Sequence, residues 1–364
     1  MKTRNAVLFV LSVLACVAIA CAGCFAASAG KTEDYTKYST VRLNIFDTEI
    51  TLIGFAKSEE EFSKAADETF DLLRRLDQIF DAYNAYDGLN NLYYVNRHAA
   101  AEPVEVPGEL FDLISWCRQK WDEGLRSTNI AMGAVLSIWH DYRTAGNQDP
   151  EQAQLPPMED LQAASLHTDF ENVVLDAEKQ TVFFADPDMT LDIGAVAKGY
   201  AADAACEVLK KAMPSFLLSL GGNVYAGEKP MDGRSAWAVG VQDPRSKALD
   251  AAIAGSDILD IIDVSGLSVV TSGDYWRYYT VDGVRYHHII DPETLMPSTR
   301  MQSVTIVCES SILADFLSTA LFVTSYEDGL RLIESLDGVE AMWVLSDGSI
   351  QYSPGIIRYV RSLQ

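Results

Sequence analysis

The chain has 364 residues, of which 48% are hydrophobic, and its formal net charge at pH 7 is −24. A hydrophobic fraction of this size excludes a disordered chain and is typical of a globular protein with a real core. The strong negative charge argues against binding to nucleic acid or to anionic lipid, because an acidic surface is repelled by both.

The first 23 residues are predicted to be an export signal and not part of the fold. Lys2 and Arg4 precede an apolar run at 6–20 that is too short to span a membrane comfortably. The Cys-Ala-Gly-Cys sequence at 21–24 resembles a bacterial lipobox, which implies that Cys24 is lipidated and becomes the mature N-terminus. Cys21 and Cys16 are weaker candidates, and a soluble secreted protein cleaved near 26–29 is the alternative.

Residues 24–38 are small and polar and are predicted to be a tether, followed by a single domain over 39–364. Since two or three acyl chains hold a protein firmly at a bilayer, a lipidated chain would stay on the extracytoplasmic face of the bacterial cell membrane. Membrane contact would then be made through the N-terminal lipid alone.

Strands and helices follow each other irregularly along the predicted domain. A strand at 41–55 precedes an amphipathic helix from Ser58 to Phe80, with Glu61 in capping-box position. The remaining predicted elements are a loop at 83–96, helices at 108–124 and 155–165, strands at 173–175, 181–184, 216–220, 236–241 and 268–271, a hairpin at 275–290 turned by Asp282-Gly283, a strand at 303–308, helices at 311–323 and 326–336, and a closing hairpin at 339–352. This order predicts an α+β fold with mixed, largely antiparallel sheets and packed helices, and it argues against a doubly wound nucleotide-binding fold.

Three cysteines follow the leader: Cys117, Cys206 and Cys308. An odd number scattered through apolar segments indicates neither a disulfide framework nor a metal–thiolate site. We expect all three to lie in the core.

The stretch at 191–205 reads LDIGAVAKGYAADAA. It contains two glycines and a single lysine, Lys198, and leads into a predicted alanine-rich helix. A helix start exposes backbone N–H groups and the positive end of the helix dipole, which together suit a phosphate or diphosphate. The alternative is a corner whose glycines only let the chain turn. A second glycine pair, Gly221-Gly222, follows a predicted strand and would let the backbone approach a ligand, or would simply form a tight turn.

Two neighbouring histidines, His287 and His288, end the predicted hairpin just before Asp291. Because side chains alternate along a strand, one imidazole must face inward and the other outward. An inward imidazole beside Asp291 could be oriented as a general base, whereas a surface histidine with satisfied hydrogen bonds is the alternative.

Asp315 and Thr319 are four residues apart and share one face of an otherwise almost wholly apolar helix. An uncompensated carboxylate there would be costly, so something must neutralise Asp315. A hard cation such as Mg²⁺, with the Thr319 hydroxyl as a second ligand, would do so. The alternative is that Asp315 caps backbone N–H groups near the helix start at Ser310 or Ser311.

Taken together, these stretches resemble the FAD:protein FMN transferase family, also called the ApbE family. The resemblance extends over most of the mature chain and is carried by DIGAVAKG at 192–199, GGN at 221–223, TSG at 271–273, HIIDP at 288–292, and AD at 314–315 followed by Thr319. It implies an exported enzyme with an ApbE-like fold that takes FAD and Mg²⁺, joins FMN to a threonine hydroxyl of an acceptor protein, and releases AMP. The acceptor would be an exported or membrane-bound redox protein.

The resemblance also implies roles for particular residues. The metal ligands would be the Ala195 carbonyl, Asp315 and the Thr319 hydroxyl, and His288 would take the proton of the acceptor threonine. The FAD-binding residues would be Phe46, Tyr83, Asp192, Lys198 and Ile289.

Leu295 departs from the family pattern, because the turn after Asp291-Pro292 usually has glycine at that position. This change reshapes the turn and could alter access for the acceptor. The loop at 83–96 also lacks the serine pattern expected near the flavin.

Two rival functions stay open at this point. In the first, water attacks the bound FAD, which would make the chain an Mg²⁺-dependent FAD pyrophosphatase giving FMN and AMP. In the second, the chain is a lipoprotein that binds flavin or another solute without turnover, although paired lobes of repeating βα units are not evident in the sequence.

Overall fold

The structure is a computed structural model that describes residues 35–245, 257–275 and 277–364. Its helices are α1 (Glu59–Phe80), α2 (Leu92–His98), α3 (Gly108–Asp122), α4 (Gly133–Gln148), α5 (Met158–Ser165), α6 (Ala197–Ala212), α7 (Ser311–Phe322) and α8 (Tyr326–Glu334). Its strands are β1 (Thr36–Ile45), β2 (Thr48–Ala56), β3 (Val104–Glu105), β4 (Val173–Asp176), β5 (Thr181–Phe184), β6 (Phe216–Leu220), β7 (Asn223–Ala226), β8 (Trp237–Gln242), β9 (Ile258–Val264), β10 (Leu267–Gly273), β11 (Tyr278–Val281), β12 (Val284–His287), β13 (Met301–Cys308), β14 (Glu340–Leu345) and β15 (Ile350–Tyr352).

The fold is built on an eight-stranded sheet with the order β1-β2-β6-β7-β10-β13-β14-β15. Every neighbouring pair in this sheet is antiparallel. The smaller sheets, β3-β5-β4, β8-β9 and β11-β12, are antiparallel as well. The predicted α+β class with largely antiparallel sheets is therefore confirmed.

The two faces of the large sheet are both buried, against different partners. One face contributes Leu52, Leu218 and Ile306 to the main core, where they pack with helices α1, α6 and α7. The opposite face contributes Phe55 and Val307 to a second cluster beneath the β8–β9 hairpin and the C-terminal segment. Alternating side chains thus face opposite layers, which fixes the register of each strand.

Helix α1 begins and ends close to the predicted positions. Ser58 is the N-cap, and its side chain accepts a hydrogen bond of 3.2 Å from the Glu61 N–H. Glu61 Oε2 in turn accepts from the Lys57 N–H, so the first turn is held by reciprocal contacts. Apolar residues at helical spacing, among them Phe70 and Leu73, are fully buried, which is why the periodicity was sufficient to predict this helix.

The single strand predicted over 41–55 is wrong, because the structure has a hairpin of β1 and β2 in its place. The chain turns at Phe46 and Asp47, whose φ angles are +53° and +52°. This left-handed pair matches a two-residue hairpin turn but carries none of the glycine or asparagine that normally marks one. The Asp77 Oδ1 of helix α1 accepts a 3.0 Å hydrogen bond from the Phe46 N–H and ties the turn to the main body.

The predicted tether also ends too late. Thr36 already pairs with Ala56 in the sheet, so residues 36–38 belong to β1 and not to a linker. The leader and the rest of the tether, including Cys16, Cys21 and Cys24, lie outside the described residues.

Five elements were not predicted, and the two-residue strand β3 is one of them. The loop expected at 83–96 contains helix α2, capped by Asn91, whose Nδ2 donates to three backbone carbonyl groups. Helix α4, strand β7 and strand β9 were likewise missed. Helix α4 begins at Gly133, where a Cβ would lie 2.5 Å from the Thr190 carbonyl oxygen, so its glycine reflects close packing and not a turn.

Helices α4 and α5 and the β11–β12 hairpin form a third cluster around Trp139 and Tyr279. Leu295 belongs to it, with a left-handed φ of +59° and an exposed fraction of 8%. Trp139 Nε1 donates to the Leu295 carbonyl at 2.9 Å. Burying a leucine side chain stabilises the fold by about 2 kcal/mol, which offsets a left-handed backbone cost of about 1 to 2 kcal/mol, so leucine is tolerated where the family pattern has glycine.

Cys117, Cys206 and Cys308 are buried free thiols, which confirms the prediction that they lie in the core. Among the helices that the structure describes, none combines the length and the apolar character needed to cross a membrane.

Candidate active site

The approach to helix α6 is held in place without belonging to a sheet. The Asn96 side chain accepts from the Leu191 N–H and donates to the Leu191 carbonyl, both at 2.8 Å. The next residue, Asp192, donates its N–H to the Ile130 carbonyl and accepts the Gly194 N–H at its own Oδ1, both at 2.8 Å. Side-chain and turn contacts therefore fix the position of this predicted FAD-binding segment.

Helix α6 begins at Ala197 and lies unusually close to helix α7. A Cβ on Gly199 would stand 2.5 Å from the Ser311 carbonyl oxygen and 2.7 Å from the Asp315 Cβ. Only glycine lets the two helices approach this far. The glycine also brings its own backbone N–H to the Asp315 carboxylate, where it donates to Oδ2 at 2.9 Å.

This hydrogen bond caps the first turn of helix α6. Gly199 is the third residue of the helix, so its N–H is one of the donors that a helix start leaves without an intrahelical partner, and the first intrahelical bond runs from the Tyr200 N–H to the Val196 carbonyl. The Ala195 carbonyl, which precedes the helix, accepts no hydrogen bond from the part of the chain that the structure describes. A carbonyl oxygen and a carboxylate thus both remain available at the entry of the helix.

Asp315 is 5% exposed, and burial raises the pKa of its carboxyl group. Lys198, the Gly199 N–H and the Asn223 side chain oppose this rise. The Asn223 Nδ2 atom is buried and has no hydrogen bond of normal geometry among the described residues, although it lies beside the carboxylate. Thr319, one turn further along α7, is half-buried and faces the same side.

These oxygens suit a hard divalent cation. A buried carboxylate, an unpaired backbone carbonyl and a hydroxyl are the ligand types that Mg²⁺ takes in proteins, usually together with substrate phosphates and water. The three predicted ligands, Ala195, Asp315 and Thr319, are thus compatible with the metal in both chemistry and placement.

Asp315 does not cap its own helix, so that alternative is wrong. Ser310 is the N-cap of α7, and its hydroxyl accepts from the Leu313 N–H. The carboxylate of Asp203, from α6, accepts the N–H groups of Ser311 and Ile312. The N-terminus of α7 is therefore satisfied without Asp315.

Lys198 lies in the first turn of α6 and is half-buried. Burial lowers the pKa of its ammonium, and the nearby charge of Asp315 opposes that change. Arg277 lowers the Lys198 pKa further, which shows that the guanidinium approaches the same space. No hydrogen bond from Lys198 Nζ is present within the described ranges, so the group is free to meet an anionic ligand.

The prediction that one histidine faces inward and the other outward is wrong, because His287 is buried and His288, which follows the end of β12, is half-buried, and Asp291 orients neither. His287 is the satisfied one: its Nε2 lies 2.8 Å from the Ser298 carbonyl, and its Nδ1 accepts from the Ile289 N–H. Asp291 accepts N–H groups of its own turn, including that of Glu293. The proposed pairing of a histidine with Asp291 is therefore wrong.

His288 is left with a buried Nδ1 that has no partner in the described chain. Burial is the main reason that its pKa is lowered well below 6.5, and the positive charges of Arg277 and Arg143 contribute to the same direction. The imidazole is therefore neutral at pH 7, which leaves a ring nitrogen able to accept a proton.

The remaining predicted FAD contacts are placed differently from one another. Tyr83 is 52% exposed and stacks on His140 with 4.3 Å between ring centroids. Phe46 is half-buried in its hairpin turn and packs near Phe80, while its carbonyl lies 3.5 Å from Arg277 Nη2. Ile289 is buried in the main core, so its side chain packs against other core residues and does not line an open surface.

Sequence reasoning missed Arg143, His140 and Arg277. Tyr83, His140 and His288 all respond to the charges of the two arginines, which places these groups around one space with Asp192 and Lys198. Arg277 was detectable, since it stands just ahead of the strand that leads to His288. Arg143 lies on the helix that was not predicted, so no local signal indicated it.

The structure also brings together a group of possible metal ligands that does not include these residues. It comprises His167, Asp186 and the exposed Asp188. His167 Nδ1 is 2.9 Å from Asp186 Oδ2, so the pair is already satisfied by a hydrogen bond. None of its residues is among the predicted metal ligands.

Comparison with known proteins identifies the family. The family model described as "ApbE family" matches residues 40–343. An FAD:protein FMN transferase of Treponema pallidum is 33% identical over 359 residues, which cover 95% of this chain and 94% of that protein. A Klebsiella pneumoniae protein of the same name is 31% identical, with 78% and 83% coverage.

Solved structures agree with this assignment. The crystal structure of the ApbE protein from Thermotoga maritima superposes with a TM-score of 0.75 at 28% identity and covers 90% of this chain and 100% of its own. The flavin transferase ApbE of Vibrio cholerae, at 21% identity, shares the fold with a TM-score of 0.72, covering 89% of this chain and 99% of its own. Because the family model and both relatives match most of the sequence, the chain belongs to the ApbE family.

Proposed function

We propose that this chain transfers FMN from FAD to a threonine hydroxyl of an acceptor protein and releases AMP. Membership of the ApbE family and the names of its relatives support this reaction. The structural observation that carries it is the buried Asp315 carboxylate at the entry of α6, near an Ala195 carbonyl that accepts no hydrogen bond from the described residues. Such a pair of oxygens at a helix entry suits a metal and a diphosphate better than it suits a structural role.

The reaction is a phosphoryl transfer in which the hydroxyl oxygen attacks the FMN-side phosphorus of FAD. The bond from that phosphorus to the bridging oxygen breaks, and the bridging oxygen leaves as part of AMP. The hydroxyl proton goes to a base. Catalysis of this kind depends on alignment and on stabilising charge, which fixed backbone and side-chain groups can supply.

Mg²⁺ would be held by Asp315, the Ala195 carbonyl and the Thr319 hydroxyl. When bound, the ion neutralises phosphate charge and makes the phosphorus easier to attack. The chain itself would bind the diphosphate with Lys198 and with the helix start. Asp192 would hold the approach segment and contact FAD.

Lys198→Ala is expected to weaken FAD binding by about tenfold to a hundredfold, because one charge-assisted contact to phosphate is lost. The turnover of bound FAD should change less. Quenching of FAD fluorescence on titration measures the affinity, and Lys211→Ala, an exposed lysine in the last turn of the same helix, is the control. An unchanged affinity for FAD would mean that the glycine-rich stretch is only a helix start with no role in binding FAD.

We infer that His288 is the base that accepts the threonine proton. His288→Gln should lower kcat/KM by about a hundredfold, which is the usual contribution of a positioned base. Since the lowered pKa keeps His288 neutral down to a pH well below 6.5, the wild-type profile should stay flat through neutral pH and fall only in the more acidic range. The glutamine variant should lose that acidic limb, and a variant that retains it would assign the base elsewhere.

The function itself is tested by incubating the purified chain with FAD, Mg²⁺ and an acceptor protein. Transfer produces a covalently fluorescent acceptor together with AMP. Hydrolysis, the FAD pyrophosphatase alternative, produces free FMN and AMP at a rate that does not depend on the acceptor. Flavin binding without turnover would favour a flavin-binding lipoprotein, although the strand pairs that the structure describes are all antiparallel and form no paired βα lobes.

We further propose that the protein acts outside the cytoplasm, anchored to the cell membrane through a lipid on Cys24. The basic start, the apolar run and the Cys-Ala-Gly-Cys sequence support this location. The acceptor would then be an exported or membrane-bound redox protein that presents a threonine at the same face.

A further inference from the structure

Arg143 and Arg277 differ from the other arginines of the described chain. Each of the others forms a salt bridge with a carboxylate or lies over an aromatic ring. Arg143 and Arg277 do neither with any residue that the structure describes. In a chain with 52 acidic residues and 28 lysines and arginines, carboxylates are plentiful, so leaving the half-buried Arg143 without one requires an explanation, and the exposed Arg277 lies near it.

The two side chains approach one space from different elements. Arg143 is half-buried on α4, with Nη2 3.3 Å from His140 Nδ1. Arg277 stands just before β11, with Nη2 3.5 Å from the Phe46 carbonyl. Both lower the pKa of His288, and burial together with the charge of Arg277 lowers the pKa of Arg143 itself.

Burial lowers the pKa of Arg143 and the negative charge of Asp192 opposes that change, but the two residues form no salt bridge. Its Oδ1 already accepts the Gly194 N–H. Arg143 is partly desolvated and is repelled by the exposed Arg277, a cost that an anion lying between the two guanidinium groups would offset. The planar fork of arginine matches the oxygens of a phosphate, and it stays charged at any physiological pH.

We propose that Arg143 and Arg277 form an anion subsite that binds the adenosine-side phosphate of FAD and keeps hold of it as it leaves in AMP. This inference rests on the proposed function. The Tyr83–His140 stack adjoins Arg143 and offers an exposed aromatic face beside the anion subsite. A phosphate attached to a flat base would use both features, whereas a carboxylate of the acceptor protein would use only the charge.

Negative charge that builds up on the leaving phosphate gives the anion subsite a role in catalysis as well as in binding. In FAD the adenosine-side phosphate carries one negative charge. When the bond between the bridging oxygen and the FMN phosphorus breaks, that oxygen becomes a terminal oxygen of AMP, whose charge approaches −2 at neutral pH. Fixed positive groups therefore stabilise the leaving adenylate more than the bound substrate, which accelerates the step.

The experiment measures binding of 5′-AMP and of adenosine to the full folded protein by calorimetry. Arg143→Gln is expected to weaken AMP binding by about tenfold to a hundredfold, and Arg143→Lys by less, because lysine keeps the charge but not the fork. Adenosine, which lacks the phosphate, should bind wild type and variants equally. Arg126→Gln removes an exposed arginine that lies over Trp121 and should match wild type in both titrations.

Arg277→Gln provides a second, independent variant if Arg143→Gln proves poorly folded in a melting experiment, and it should weaken AMP binding in the same way. Wild-type affinity for AMP in both glutamine variants would overturn the anion subsite. A normal AMP affinity combined with a raised KM for the acceptor would overturn it in favour of acceptor docking. Failure of the wild-type protein to bind FAD would instead overturn the proposed function, so the two failures are distinguishable.

Discussion

Replacing Asp315 with asparagine is expected to reduce FMN transfer by at least about a thousandfold, which corresponds to about 4 kcal/mol of transition-state stabilisation. The substitution keeps the size of the side chain and an oxygen that can accept the Gly199 N–H. What it removes is the charge that would hold Mg²⁺. Transfer is measured as AMP released and as flavin attached to the acceptor.

Thermal melting with and without Mg²⁺ provides a readout of Asp315→Asn that does not depend on activity. Burial raises the pKa of Asp315, so its ionised form is less favourable in the folded chain than in the unfolded one. Stability is therefore lost as the pH rises from the unfolded pKa through the folded one, and at neutral pH the metal-free protein carries this penalty. The variant should melt at the same temperature as metal-free wild type or slightly higher, and Mg²⁺ should stabilise only the wild type.

Asp203→Asn is the matched control, since it makes the same chemical change at the same pair of helices. Asp203 caps the start of α7 through the N–H groups of Ser311 and Ile312, so we expect a loss of about 1 kcal/mol in stability. Activity and the stabilisation by Mg²⁺ should remain close to those of wild type. If Asp315→Asn behaved like this control, the metal assignment would be wrong.

Much of the fold could be predicted because several elements have strong local patterns. Helix α1 has an N-cap, a capping glutamate and a regular apolar stripe, and strand β6 alternates buried and half-buried residues along its whole length. Helix α4 was harder to predict, because its buried Trp139 packs on Tyr279 and Tyr286 of a hairpin more than 100 residues away in sequence. The Phe46–Asp47 turn was hidden for a different reason, since tertiary contacts hold a left-handed backbone that its residues do not favour by themselves.

The residues of the candidate site also differ in how readily the sequence predicts them. Asp315 was detectable from the sequence because a carboxylate in an apolar helix is anomalous wherever it occurs. Asn96 and Arg143 were not, because each acts on a segment far from it in the chain and looks like an ordinary surface residue locally. The resemblance to a family supplied Phe46, Tyr83 and Ile289 as flavin contacts, a role that residue patterns alone do not indicate, and that role stays a prediction.

Gly199 connects the fold to the chemistry, because its missing side chain sets the distance between α6 and α7. A Cβ there would meet the Ser311 carbonyl oxygen at 2.5 Å and the Ile312 Cα at 2.7 Å. Both are backbone atoms of a buried helix, and neither can rotate away. The same close approach lets the Gly199 N–H reach the Asp315 carboxylate.

Gly199→Ala is therefore expected to destabilise the folded chain by about 3 kcal/mol and to lower transfer activity by about a hundredfold in the protein that remains folded, because the helices must separate by a few tenths of an ångström or more. Denaturant unfolding measures the first effect, and the rate at saturating FAD measures the second. Gly108→Ala is the control, since a Cβ there would meet only the Gln180 Nε2 atom at 3.7 Å, an ordinary contact. If Gly199→Ala were as harmless as Gly108→Ala, the spacing of the two helices would not determine the geometry of the oxygens that we assign to the metal.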